Sequence, residues 1–407
     1  MYICQMKHFI NVLLLSTFFF SFLYAQETHN SKDKLSFIDL NRRIENRLDI
    51  SLSEKEFNKL KKETGYKVSF KERKIVFNID TVIARKIHTR GQTTLKFRRK
   101  SFSLSFDRKV IIYKNNESKQ FQNIYALNLV LDKNYVNNRL AFALLGKIGF
   151  PDLYYSYGEV RINNQSEGIY FFIERPQDWA FNEGTPFIVR RGYQQDMNKV
   201  LKKKKLYPVE AQLFTNKYEN MYEYLDEYSG EELYKVLSEI LNLEMYMQWL
   251  AFNFLVKNGD YTDEVYFYID PANNRYSIIP WDFDDIFSSV PHEGYDHIDP
   301  VITDKYIFSS EDPLDVKIVE DEYLYSIYLD QLQNLLTILS PEKIKEELEI
   351  IYSELYPYYS SEEIITMSKY DWFDEVNFTT LKKELNSIYS DLLNTRHEIL
   401  LKLAGRE

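Results

Sequence analysis

Apolar residues in the first half of the chain mostly alternate with polar ones at a spacing of two, whereas in the second half they recur at three and four. That change of period predicts a strand-rich first half and a helix-rich second half, an α+β protein. Residues 66–70, 75–80 and 82–88 are strand-like, and Phe102, Leu104 and Phe106 alternate with serines, which buries one face of a further strand. Lys100 has the parity of that buried face. An inward lysine needs a partner: a phosphate would serve, and so would snorkelling at the strand mouth. Residues 125–131 form a strand ending at Asp132, and 135–148 have helical spacing through Leu140, Leu144 and Ile148, closed by Gly149 and Pro151. Residues 158–162 and 168–173 flank the turn Asn163-Asn164-Gln165, a hairpin with Glu174 at its exit. Upstream, Ser53 and Glu56 make a capping box for a helix that Gly65 stops.

After a short strand at 187–190 a lysine-rich polar linker runs to Pro208, and the boundary between the halves falls near 199–207. Helices are predicted at 231–241, at 243–257 with Tyr246, Leu250 and Phe254 on one core-facing side, and around 320–339, 341–356, 361–370 and 379–403. Pro357 is the expected stop of the helix begun at Pro341. The stretch 258–285 interrupts this pattern as loop, strand, tight turn, strand and acidic loop. Strands joined by so short a turn pair antiparallel, so the loop bearing Asp260 and the loop bearing Asp282 and Asp284 emerge at one end of a hairpin. Such carboxylates suit phosphoryl transfer, with Asp260 accepting a proton and Asp282 or Asp284 holding a metal. Ordinary turn and cap aspartates have the same look.

Of 407 residues 44% are hydrophobic and 28% charged, enough for a large core and unlike a disordered chain. The 33 tyrosines and 28 phenylalanines are read as core filling. Residues 1–25 have the form of a signal peptide: Lys7, an apolar run and a small-residue end at Ala25. Export to the periplasm, cell surface or medium is expected, with a mature chain from Gln26. No later run reaches membrane-spanning length. The single cysteine, Cys4, lies in this leader, so the mature chain has no thiol nucleophile and no disulfide. The formal charge of −10 opposes nucleic-acid binding. Phosphate-cradling glycine motifs are absent, and His292 and His297 stand five apart on a Pro- and Gly-containing loop, the wrong spacing and setting for a zinc helix. A glycosidase built on paired carboxylates finds no support in the order of the motifs.

Four ordered blocks resemble the spore-coat protein H (CotH) kinase family. They are Arg90-Gly91 with Thr93-Thr94 and Arg99-Lys100-Ser101-Phe102; Leu127-Asn128-Leu129 with Asp132, Asn138, Leu140 and Ala141; Arg161-Ile162-Asn163-Asn164 with Gly168-Ile169-Tyr170 and Glu174; and Trp249-Leu250-Ala251 with Asn253, Asp260 and Pro280-Trp281-Asp282-Phe283-Asp284. The resemblance implies an atypical kinase-like, bilobed fold over about 66–407, behind a leader and a helix-bearing segment at 26–65. It implies ATP with Mg²⁺ or Mn²⁺ as cofactors and a Ser/Thr-bearing partner protein as substrate. Carried over, Asp260 is the catalytic aspartate, Asp282 and Asp284 include the metal ligand, Arg90 and Lys100 contact phosphate, Glu174 partners Lys100, and Trp281 belongs to the nucleotide site. Glu264 stands where the family often has an asparagine metal ligand, and Asn137 replaces an arginine. These departures make an inactive pseudokinase or a surface assembly protein of the same fold the alternative reading.

Overall fold

The structure, a computed structural model, describes residues 35–404 apart from 40–42, 63–64, 92, 193–195, 204, 295–296 and 370–374; the expected leader at 1–25 lies outside them. In the first half, β1 (Arg47–Ile50), α1 (Glu54–Leu60), β2 (Ser69–Phe77), β3 (Asp80–Arg90), β4 (Ser101–Lys114), β5 (Glu117–Leu127), α2 (Asn137–Lys147), β6 (Tyr155–Ile162) and β7 (Gln165–Ile173) follow in order. The strands close into a barrel ordered β1-β2-β3-β4-β5-β7-β6, sealed by the parallel pairing of β1 with β6. The alternation anticipated in β4 points Phe102, Leu104 and Phe106 into a barrel core with Phe77, Ile124 and Phe172. Two expected strands, 66–70 and 75–80, are instead one: β2 runs through, with a kink at Glu72, where φ is 49° and the pair with Arg85 of β3 is missing while the register on either side is kept. Ser53 caps α1 with Glu56 as expected. Asn163 and Asn164 both take positive φ (51° and 65°) in the β6–β7 turn, the conformation that hairpin requires.

The chain continues through α3 (Pro176–Asn182), β8 (Phe187–Arg191), β9 (Met197–Lys202), α4 (Pro208–Glu227), α5 (Gly230–Ile240), α6 (Leu243–Leu255), β10 (Val265–Ile269), β11 (Tyr276–Pro280), α7 (Pro313–Glu320), α8 (Glu322–Ile338), α9 (Pro341–Tyr359), α10 (Glu362–Met367) and α11 (Phe378–Ala404). A second sheet has the order β11-β10-β8-β9. Part of the anticipated polar linker after Arg190 is therefore β9, an edge strand whose lysines hid its pairing from a hydrophobicity reading. Through the β8–β10 ladder this sheet joins strands from both sides of the expected boundary. α6 is buried on more than the one face anticipated: Met247, Trp249, Phe252 and Asn253 are enclosed along with Tyr246 and Leu250. Pro357 does not stop α9, which continues to Tyr359 because Tyr358 and Tyr359 are buried and the Tyr359 hydroxyl donates to the Asn134 carbonyl at 3.2 Å.

Candidate active site

β10 and β11 pair antiparallel with Val265 opposite Pro280, so the loops before and after the hairpin leave at the same end. Trp281 N–H donates to the Glu264 carbonyl at 2.9 Å and extends the ladder by one bond. The first loop is braced from α6: Asn253 donates to the Trp249 carbonyl (3.0 Å), Asn258 donates to Asn253 (3.0 Å), and the Asn258 side-chain oxygen receives the Asp260 N–H (3.3 Å). Both asparagines are fully buried, so their amides have no competing water. Gly259 lets the two loops touch. Its N–H reaches the Asp285 carbonyl at 2.9 Å, and a Cβ there would lie 2.1 Å from the Asp285 carboxylate.

The acidic loop is held from the barrel side. Asp132 accepts the Asn137 and Asn138 backbone N–H groups (both 2.8 Å) at the start of α2, and the Asn138 side-chain oxygen receives the Phe283 N–H at 3.1 Å. Burial lifts the Asp132 carboxyl to about 7 despite these hydrogen bonds. Asp282 takes φ 52°, a left-handed turn that sets its carboxyl apart from its neighbours' direction. Asn137 donates to the Asp284 carbonyl at 3.4 Å, and its own side-chain oxygen is buried without a hydrogen-bond partner.

These loops form one wall of a cleft of about 710 Å³. Asp260, Asp263, Glu264, Asp282 and Asp284 line it together with Lys67, His88 and Arg90 from the barrel and with Arg190 and Lys199 from the sheet that holds the hairpin. Burial first, then Asp263, Asp282 and Asp285, raise the Asp260 carboxyl to about 6, against the pull of His292. Asp284 is pushed well above the usual carboxylate range by burial and by Asp282, Asp132 and Asp260. Burial raises Asp282, with Arg90 and Arg190 opposing it. Glu264 is raised by burial and Asp282, and its carboxylate is ion-paired with Arg190.

Arg90 stacks over Tyr125 at 3.8 Å and stands 5.5 Å from the Trp281 ring, so its guanidinium is fixed before any ligand arrives. Trp281 is 2% exposed and sits behind Arg90 among Tyr125, Phe142 and Tyr266; it supports the wall without lining it. The structure therefore brings Asp260, Glu264, Asp282, Asp284 and Arg90 together. It does not bring Lys100 or Glu174 to them. The Lys100 ammonium is buried and donates to the Leu95 and Lys62 carbonyls at 2.6 and 3.0 Å. Glu174 accepts from Lys119 at 2.8 Å, so the expected Lys100–Glu174 pair is absent. Both residues are buried, as the parity of Lys100 anticipates for it, but with different partners.

The sequence reading does not single out Arg190, and it weighs His292 only as a zinc ligand and rejects it there. His292 N–H donates to the Gly259 carbonyl at 2.8 Å and its imidazole faces Glu311 at 3.4 Å. Burial pulls that imidazole down, but Asp260 and Glu311 together leave it above its ordinary value. A signal for Arg190 existed. Two arginines end the apolar strand β8, they must face opposite ways, and each then needs an anion.

The family model described as CotH kinase protein matches residues 87–399. No curated protein matches the chain. Among solved structures, the Helicobacter pylori proinflammatory kinase CtkA is similar over 73% of this chain and 95% of its own, at 13% identity and a TM-score of 0.29. HipA of the Shewanella oneidensis MR-1 toxin–antitoxin system, solved with HipB and operator DNA, is similar over 73% of this chain and 63% of its own, at 12% identity and a TM-score of 0.26.

Proposed function

The chain belongs to the CotH kinase family, whose model spans 87–399, and from that premise we propose that it transfers the γ-phosphate of ATP to Ser or Thr of a partner protein. The observation that carries this reading is the meeting of Asp260, Asp282 and Asp284 with Arg90 across one cleft. Asp260, at about 6, is ionised at neutral pH and basic enough to accept the acceptor hydroxyl's proton. The acceptor oxygen bonds to the γ-phosphorus as the bond from phosphorus to the β,γ-bridging oxygen breaks, and ADP leaves. Arg90, immobilised on Tyr125, offsets phosphate charge during the transfer.

Mg²⁺ or Mn²⁺ fits the donor set in kind. Asp282 and Asp284 are hard oxygen donors, burial and the Asp282 charge hold Asp284 protonated more readily than usual, and the orphaned Asn137 oxygen lies beside the same loop. Among the described residues no three His, Cys, Asp or Glu side chains already form a metal-sized group, so the carboxylates would draw together on binding. The bound cation would neutralise the phosphates. Glu264 could join only by releasing Arg190. Export of a mature chain from Gln26 is part of the proposal, and mass spectrometry of secreted protein reads it directly.

The deciding experiment is incorporation of labelled γ-phosphate by the purified chain with Mg²⁺ or Mn²⁺. Asp260→Asn should lower it at least 100-fold while leaving the melting temperature within about 2 °C; incorporation at the wild-type rate would remove Asp260 from the chemistry. A second reading, nucleotide binding without turnover, is favoured by the unformed Lys100–Glu174 pair. It expects a rise in melting temperature with ATP and metal and no transfer to any protein offered.

A further inference from the structure

Four cationic side chains, Lys67, Arg90, Arg190 and Lys199, line the cleft among six carboxyls. Arg90 and Arg190 are the cations that act on Asp282. An overlapping set surrounds His88: Lys86, Lys67 and Arg175, with Arg90 shared; burial first, then these cations, hold its imidazole down at about 4, so it is neutral at physiological pH. His88 faces outward from β3 opposite Ser69 of β2 and Ser103 of β4, with Lys67 just before β2, and Lys199 enters from β9, opposite Arg190 in that ladder. Lys67, His88, Ser103 and Lys199 all line the cleft. Neither Lys67 nor Lys199 has an ion-pair partner among the described residues, although the chain carries a net charge of −10. The His88 Nδ1 atom is buried and lacks a hydrogen-bond partner. Two sheets thus contribute unpaired cations, a hydroxyl and an unsatisfied imidazole to the lining of one cleft, and adenosine, being neutral, has no use for them.

We infer that the part of the cleft lined by Lys67, His88 and Lys199 is an acceptor subsite for an acidic protein segment, so that the Ser or Thr receiving phosphate is flanked by Asp or Glu. This rests on the kinase reading for the transfer, but the docking itself needs no nucleotide. Carboxylates of the segment would take the place of missing counter-ions, and the attraction would be strongest at low salt.

The test uses two fluorescent Ser-containing peptides of equal length, one rich in Glu and Asp and one with lysines at those positions, titrated against the full chain without ATP. The acidic peptide should bind at least tenfold tighter, lose most of that preference in 0.5 M salt, and weaken at least tenfold with the Lys67→Glu/Lys199→Glu double variant; Lys67→Gln/Lys199→Gln should fall between. Equal binding of both peptides, or unchanged binding by a folded double variant, overturns the subsite. So does competition of the acidic peptide by metal-free ATP, or a raised KM for ATP in the variants, since either gives these lysines to the nucleotide. Preferential binding of the acidic peptide with no phosphate transfer would leave the subsite and remove the kinase reading; transfer to both peptides at equal kcat/KM would do the reverse.

Discussion

Arg90 and Lys100 are ten positions apart and end in opposite surroundings. The guanidinium lies flat on Tyr125 at the cleft wall, while the ammonium is capped by the Leu95 and Lys62 carbonyls inside the barrel mouth. Removing each charge should therefore be read by different instruments. Arg90→Ala should raise KM for ATP at least tenfold, as expected for loss of a charge-assisted phosphate contact, with little change in melting temperature. Lys100→Met keeps the aliphatic stem but leaves two carbonyls without a donor, at a cost of about 1–3 kcal/mol in a denaturant titration, and should leave KM for ATP close to wild type. If Lys100→Met instead raises that KM and spares stability, the lysine swings into the cleft when nucleotide binds. Parity in the strand settled which way Lys100 points; it could not say what waits there. The partner of a buried lysine is set by connections such as the short 3-10 turn that holds Leu95, which no periodicity describes.

β8 shows the same gap between direction and destination at the level of an element. Its pleat sends Arg190 to the cleft and Arg191 to the opposite face, where it is fully buried between Asp312 and Asp315 of the α7 start and donates to the Thr262 carbonyl and the Tyr246 hydroxyl. One strand end thus braces the loop that carries Asp260 from behind while pairing with Glu264 in front. Arg191→Met would leave Asp312 and Asp315 buried without their counter-ion, and we expect a loss of about 3–5 kcal/mol in equilibrium unfolding. A milder loss would mean that the two carboxyls share a proton and need the arginine less. The β10–β11 hairpin was legible because its strands are apolar and its turn is a run of Pro, Ala and Asn, so antiparallel pairing, with both acidic loops at one end, followed from the shortness of the turn. β9 was not: an edge strand carries lysines to discourage pairing with other chains, and that same device erases its hydrophobic signature. The join of the two halves through the β8–β10 ladder, and with it the position of Arg190 beside Glu264, was hidden for another reason: pairing between strands far apart in the chain leaves no mark on local periodicity.

At the scale of the molecule, the two halves meet at a cleft that crowds four carboxyls together, and that crowding has a signature in pH. Asp260 is raised to about 6, and Glu264, Asp282 and Asp284 are raised as well, each with burial as the largest cause. A carboxyl whose pKa is higher in the folded than in the unfolded chain takes up protons on folding. Its effect on stability is least harmful below the unfolded value near 4, and stability is lost as pH rises from there through the folded value. The cleft therefore works against the fold progressively from about pH 4 to beyond 6, opposite to the direction set by ordinary paired carboxylates. Asp284→Asn should flatten this decline, raising the melting temperature relative to wild type more at pH 8 than at pH 5. Mg²⁺ or Mn²⁺ should do the same to the wild-type chain, because a divalent cation favours the ionised carboxyls, and its stabilising effect should largely vanish in the Asp282→Asn/Asp284→Asn variant. A cation-induced shift of equal size at both pH values, or one that survives the double substitution, would place the metal elsewhere on this acidic protein and leave Asp282 and Asp284 as structural members of the loop.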